Sequence, residues 1–398
     1  MKFIQEAFDT NWVVPLGPNV NGFEKDLEGF VGENKRVVAL CSGTSAVHLG
    51  LLACGVGPGD DVLVQSFTFC ASTHPITYLG ATPVMIDSEP DTWNMDPELL
   101  ETAILDRIGK TGRVPKAIVP VALYGMPYKA DRIMKIATKY GIPVVEDAAE
   151  GFGSRYKGQV LGTFGKFGML SFNGNKMITT SGGGALICPD EAMWQKIMWY
   201  ATQARESYPY YQHEAIGYNY RLSNICAGIG RGQMTVIDEH LAHHKHVQKM
   251  YEELLADVPG VHVHSQPAGG DYDSNFWLCT ITLDPDVRIF GQENAYKTIV
   301  KGAVGGAAGV IHMADSAVTD CQPNDNVEAL RVFMDAAGIE ARPVWKPMHK
   351  QPVYKDVPAY VNGVSEAIFK VGMCLPAGPC VNNEDVAYIV DCIKKAIL

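Results

Sequence analysis

The stretch GIPVVEDAAEGFGS, residues 141–154, decides the fold. Ile142 to Val145 is a short apolar run rich in β-branched residues. It predicts a buried strand with Glu146 and Asp147 at its carboxyl end. In open α/β sheets, ligands gather outside the carboxyl ends of strands, which makes Asp147 a candidate functional carboxylate. Asp is also a preferred helix cap, and a helix in the AAEGF stretch that follows would give it that plainer role.

The flanking chain carries the alternation that such a sheet requires. VVAL (37–40), DVLVQS (61–66), PVMIDS (83–88), KAIVPVAL (116–123), GMLSF (168–172) and GALIC (184–188) read as strands. Between them lie helical stretches beginning near Thr44, around 71–79, and at DPELLETAILDRI and KADRIMKIATKYG. The expectation is an α/β fold with a mostly parallel sheet flanked by helices. TVIDEHLAHHKHVQKMYEELLADV (235–258) reads as one long helix closing a large domain over 1–258. A smaller α+β C-terminal domain is expected over 259–398, with a strand in FWLCTITLD (276–284) and an unusually long connection near 290–324.

Lys176 lies 29 residues after Asp147, in SFNGNKMITTSGGGAL (171–186). A lysine with Ser171 five residues before it and glycines just after it suits a pyridoxal 5'-phosphate enzyme. The amine must reach the cofactor aldehyde, and the glycines let backbone approach the ring and phosphate. An Asp at a strand end can pair with the protonated pyridine nitrogen and keep the ring an electron sink. Gly43-Thr44-Ser45 opens a helix after a strand, and the outward amides of a helix N-terminus suit a phosphate, while Thr44 could equally be an ordinary cap.

The net charge of −11 argues against nucleic acid as the main partner, since no basic block offsets it. The ten cysteines are irregularly spaced without a CxxC pair, which points to reduced thiols and away from a zinc site. His240 and His244 stand at i, i+4, but no HExxH pattern surrounds them, so a solvated helix face is the expectation and no metal is assigned. MKFIQEAFDTNWVV has no apolar signal region, and GAVGGAAGVIHM (302–313) is too short to span a bilayer, so the expected location is cytoplasmic.

Together these segments carry a family resemblance. WVVPLGPNVNGFE (12–24), CSGTSAVHLGL (41–51), QSFTFCAST (65–73), DTWNMDPELLE (91–101), LYGMP (123–127), EDAAEGFGS (146–154), GYNYRLSN (217–224) and ARPVWKPMHKQPVY (341–354) run in order along the chain. With the lysine segment, they make it similar to the DegT-type nucleotide-sugar aminotransferases, fold type I pyridoxal phosphate enzymes. The likeness extends to the subset that aminates carbon 4 of UDP-linked 4-keto-6-deoxy sugars.

The resemblance implies catalytic roles for Lys176 and Asp147. It implies phosphate contacts from Gly43, Thr44 and Ser171, and stacking of Phe69 on the pyridine ring where a lone Phe would otherwise be core. Glu150 would contact the ring hydroxyl or the substrate. Asn219 would bind the phosphate of the partner subunit's cofactor across a homodimer interface. Arg221 would meet a donor carboxylate or nucleotide phosphates. His349, in WKPMHKQP, would border the sugar pocket, although a Pro-punctuated loop also explains that stretch.

The implied reaction takes an amino group from L-glutamate through a Lys176 aldimine and a pyridoxamine intermediate to the sugar ketone. In the dehydratase branch of the family, the lysine is replaced by His, and Lys176 argues against that branch. A non-catalytic sugar-nucleotide-binding protein on the same fold is the rival from another class. The family's GEGG after the lysine is here Ser181-Gly182-Gly183-Gly184. The connection near 290–324 is read as a lid ordered by substrate or as a surface insertion.

Overall fold

A computed structural model describes residues 1–297 and 320–398. Most of the long connection near 290–324, and with it the lid reading, lies outside the described residues. The chain forms two compact units. One comprises Met1–Lys245, Gln266–Trp277 and Pro347–Ser365, and the other His246–Ser265, Leu278–Lys346 and Glu366–Leu398.

The larger unit is built on strands β1 (Arg36–Leu40), β2 (Asp61–Gln65), β3 (Thr82–Ile86), β4 (Ala117–Val119) and β5 (Val145–Asp147), with Phe167–Ser171, Gly184–Cys188 and the short Ala359–Tyr360. Ala359–Tyr360, β3, β2 and β4 pair in that order, all parallel. Parallel bridges Ile118↔Val144 and Val121↔Asp147 join β4 to β5. Beyond β5 come Phe167–Ser171, Gly184–Cys188 and β1, and only Gly184–Cys188 runs against its neighbours. Helix Gly43–Ala53 is apolar on nearly all sides because it is packed all round. Leu49 and Leu51 join Val38, Val64, Val145, Phe167 and Leu186 in one core.

Strand β5 begins three residues later than the sequence suggests and includes both carboxylates. The two side chains alternate across the sheet. Glu146 is buried and accepts hydrogen bonds from the amides of Gly162 (2.9 Å) and Gly165 (2.6 Å), a structural role. The smaller unit has an antiparallel sheet of Val261–Val263, Cys279–Leu283, Gly372–Leu375 and Arg342–Pro343. Its helices Asp325–Ala336 and Asn383–Ala396 contribute Leu330, Ile389 and Ile393 to its core, beside Tyr251 and Ile281. The FWLCTITLD strand is shorter than expected. It starts at Cys279, and Phe276 and Trp277 precede it in irregular backbone.

Candidate active site

Asp147 is the last residue of β5 and is 4% exposed. No helix follows it, so the capping alternative falls: Oδ1 accepts the Ala149 amide at 3.0 Å within a tight turn. Oδ2 accepts the hydroxyl of Ser72 at 2.5 Å, and Thr68 Oγ1 lies 2.8 Å from Ser72 Oγ. Burial pushes the Asp147 carboxyl up from 3.8 to about 6, the Glu150 charge adding to the rise. The Ser72 and Ala149 hydrogen bonds and the Lys176 charge oppose it. Ser72 was not singled out from sequence. Its only signal was a hydroxyl in QSFTFCAST, and what makes it matter is a contact to a residue 75 positions away.

Lys176 follows the strand Phe167–Ser171, beside β5 in the sheet. Its Nζ lies 3.3 Å from Glu150 Oε1 and 3.9 Å from the centre of the Trp277 ring. The side chains are 12% exposed for Lys176 and 4% for Glu150. The other Glu150 oxygen accepts the Tyr124 amide at 2.7 Å. Tyr124, in LYGMP, is held at φ 54°, a left-handed conformation that costs a non-glycine residue about 1 kcal/mol or more. Trp277 too was missed in the sequence, where it read as the start of a strand.

The helix Gly43–Ala53 is capped by Ser42, not Thr44. Ser42 Oγ accepts the Ser45 amide at 3.0 Å, and the Ser45 side chain returns to the Ser42 amide. The correction leaves the Thr44 hydroxyl outside the capping box, at the second position of the helix. The amides of Gly43 and Thr44 have no acceptor within the helix. A Cβ at Gly43 would lie 3.1 Å from Ser171 Cβ and 3.3 Å from its Oγ. A Cβ at Gly184 would lie 2.4 Å from the Gly43 amide nitrogen. Glycine at both positions therefore keeps open a cradle of amides and two hydroxyls, a donor set that fits a phosphate. Together with a buried carboxylate at a strand end and a lysine amine, these residues fit pyridoxal phosphate.

Phe69 is half exposed and immediately precedes the 3-10 turn Cys70–Ser72, one turn from the Asp147 contact. His349 Nδ1 lies 2.7 Å from Ser66 Oγ, just past the carboxyl end of β2. Asn219 is exposed and bridges to Thr202. With Arg221 it lines a cavity of about 1030 Å³ whose wall includes Leu16, Arg205, Tyr208 and Tyr211. Arg221 Nη1 donates to Glu24 (2.6 Å) and to the Ala39 carbonyl (2.9 Å), so this cation first braces the end of β1.

The expectation of a solvated histidine face gives way. His244 is buried, with Nδ1 3.1 Å from the Phe276 carbonyl, and His240 Nδ1 is 3.3 Å from the Met177 carbonyl. Burial lowers His244 to about 4. Among the described residues, no cluster of His, Cys, Asp and Glu could hold a metal ion, and no helix is long and apolar enough to cross a membrane.

The family model described as the DegT/DnrJ/EryC1/StrS aminotransferase family matches residues 1–300 and 292–394. EpsN of Bacillus subtilis, whose name assigns it provisionally to the pyridoxal phosphate-dependent aminotransferases, is 43% identical over 98% of this chain and 90% of its own. GDP-perosamine synthase of Caulobacter vibrioides is 33% identical over 100% of this chain and 95% of its own. A crystal structure of a DegT DnrJ EryC1 StrS aminotransferase from Brucella abortus matches with a TM-score of 0.83 at 27% identity, over 99% of this chain and 94% of that one.

Proposed function

This chain belongs to the DegT/DnrJ/EryC1/StrS aminotransferase family, and on that footing we propose that it carries the amino group of L-glutamate to C4 of a UDP-linked 4-keto-6-deoxy sugar. It is a pyridoxal phosphate-dependent sugar aminotransferase. The observation that carries the site assignment is the Lys176 amine, held at 3.3 Å from buried Glu150 in the unit that also buries Asp147 at a strand end. We further propose a cytoplasmic homodimer with a shared active site, and the ten cysteines, all free of disulfides, support that compartment.

When bound, pyridoxal phosphate supplies an aldehyde that exchanges amines and a ring that takes up electron density. Asp147 would hold the ring nitrogen. Its carboxylate is costly in this buried position, and a protonated nitrogen beside it would stabilise the anion. Gly43, Thr44 and Ser171 would hold the phosphate, Phe69 would cover the ring, and Glu150 would border it. Asn219 would reach the partner subunit's phosphate from its exposed position. Arg221 and His349 are kept as substrate-side residues.

Lys176 would take the proton from the α-carbon of the amino acid and pass it on within that half-reaction, and in the second half-reaction it would deliver a proton to the sugar carbon that is aminated. Its neighbours exclude water, so a proton on the amine is kept from solvent during each transfer. The non-catalytic reading would need neither this enclosed amine nor the cradle at Gly43.

A second reading has an observation in its favour: a relative matched over 100% of this chain and 95% of its own is named for a GDP sugar. The test is an amination assay with purified protein, L-glutamate, and UDP- and GDP-linked 4-keto-6-deoxy sugars. Turnover of the UDP sugar alone supports the reading, and turnover of the GDP sugar alone replaces the nucleotide. Loss of a yellow band on adding glutamate tests the donor. A colour indifferent to glutamate overturns it.

A further inference from the structure

Lys176 is enclosed from two sides by groups of different chemistry. Glu150 is a carboxylate and can accept a proton. The indole of Trp277 cannot, yet its face attracts a cation electrostatically. Trp277 is 3% exposed, so the interaction takes place away from water, where it is strongest.

The indole is fixed to the lysine segment itself. Trp277 Nε1 donates to the Asn175 carbonyl at 2.7 Å. On the other side of the lysine, the Met177 carbonyl faces His240 Nδ1. The carbonyls flanking Lys176 are therefore both engaged, one by the ring that the amine overlies and one by the long helix Ile237–Leu255.

The same helix holds the ring's own backbone. Phe276, immediately before Trp277, is at φ 48°, a left-handed conformation that a Phe adopts only when its surroundings impose it. Its amide donates to Ser274 Oγ at 3.0 Å, and its carbonyl faces His244 Nδ1 at 3.1 Å. A carbonyl only accepts, so Nδ1 of His244 carries the hydrogen. The next amide, that of Trp277, donates to Asn275 Oδ1 at 2.8 Å. Asn275 Nδ2 in turn donates to the carbonyls of Glu150 and Phe152.

We propose that the face of Trp277 is the seat of the Lys176 ammonium during proton transfer, and that His244 holds this face in place through the Phe276 carbonyl. The inference rests on the proposed role of Lys176. In the step concerned, the α-C–H bond of the amino acid breaks and its electron pair stays with the substrate. The proton leaves on Nζ, and nothing is oxidised. The indole stabilises the cation so formed without taking its proton, so the proton stays on Nζ for its onward delivery. Trp277 is thus a catalytic residue, touching the reacting nitrogen, and His244 is a positioning residue.

The experiment compares Trp277→Leu, Trp277→Phe, His244→Leu and His244→Gln in the full-length protein. First, borohydride reduction of holoenzyme followed by peptide mapping locates the cofactor-bound lysine. A label elsewhere than Lys176 overturns the site reading on which the inference rests. Second, lysine amines of cofactor-free protein are 13C-methylated, and the Lys176 resonance is assigned by its absence in Lys176→Ala. The ring current should displace that resonance upfield in the wild type. Trp277→Leu and His244→Leu should lose the displacement, and His244→Gln, which keeps a donor, should retain most of it.

Third, the glutamate half-reaction is timed with ordinary and α-deuterated L-glutamate. Trp277→Leu should slow it about tenfold, the scale of one desolvated cation–π contact. The isotope effect should rise and the KM for glutamate should change little. General loss of folded enzyme would lower the rate without raising the isotope effect. If Trp277→Leu does not fold, the His244→Leu and His244→Gln pair and Trp277→Phe carry the comparison. With the label on Lys176, an undisplaced wild-type resonance, or a wild-type rate and isotope effect in folded Trp277→Leu or His244→Leu, overturns the inference alone.

Discussion

The corner around Lys176 and the corner around Asn219 lie in the same unit and are built in opposite ways. At Lys176, groups from four stretches of one chain hold one another: buried Glu150, Tyr124, Asn275 and Trp277, and the amine itself. At Asn219 the side chain is exposed on a cavity of about 1030 Å³, beside exposed Tyr208 and Tyr211. One corner is satisfied by its own chain, and the other presents polar and aromatic groups outward. The contrast supports the proposed homodimer, in which Asn219 completes its partner's site.

Lys176→Ala should produce the largest loss, about 10³-fold or more in transamination, since it removes both the proton carrier and the cofactor bond. A steady-state assay of that variant checks it. Asp147→Asn should cost about 10²–10³-fold in rate, the scale of a lost preorganised charge. It should also stabilise the cofactor-free protein. The Asp147 carboxyl is at about 6 when folded and 3.8 when free, so its stability contribution is present below 3.8 and lost as pH rises through 6. At neutral pH its removal should return about 2–3 kcal/mol, read from urea unfolding of the two proteins.

Asn219→Ala should weaken cofactor retention about tenfold, as one hydrogen bond to an anion does. It bears directly on the contrast. At limiting pyridoxal phosphate, mixed subunits of Asn219→Ala and Lys176→Ala should exceed the activity of either parent, because each hybrid dimer holds one intact site. Hybrids no more active than the Asn219→Ala parent at that cofactor concentration would place Asn219 in its own subunit's site.

The smallest effect is confined to acid pH. His244 is at about 4 when folded against 6.5 when free, so the wild type loses stability as pH falls from 6.5 towards 4. His244→Gln should flatten that slope without altering the melting temperature at pH 8 by more than a few degrees. Calorimetry across the range checks it.

Much of this was legible in sequence because the signals are local. Strand followed by helix, an Asp at a strand end, and a lysine before glycines all fall within windows of a dozen residues. Thr44 was misplaced by two positions because Ser42, Thr44 and Ser45 all have capping hydroxyls, and only the reciprocal Ser42–Ser45 bonds decide among them. Ser72 and Trp277 carry no local signal, and the i, i+4 spacing of His240 and His244 points to a solvated face for the same reason. Each acts on a backbone or carboxylate 32 to 102 residues away, and no periodicity encodes such a pairing. The FWL run looked like the start of a strand because aromatic and aliphatic residues favour strands. The left-handed Phe276 is imposed by Ser274 and His244 against that preference.

The position of Trp277 in the chain also sets an order of events at the ribosome. Lys176 leaves the exit tunnel with Glu150 already made but with Trp277 still to come. At about 5–20 residues per second, the indole follows some 5–20 s later. The sheet's edge strand Ala359–Tyr360 comes later still. Through that interval the nascent lysine is an open amine without its indole partner, and capture of the cofactor in its finished surroundings belongs to the released protein.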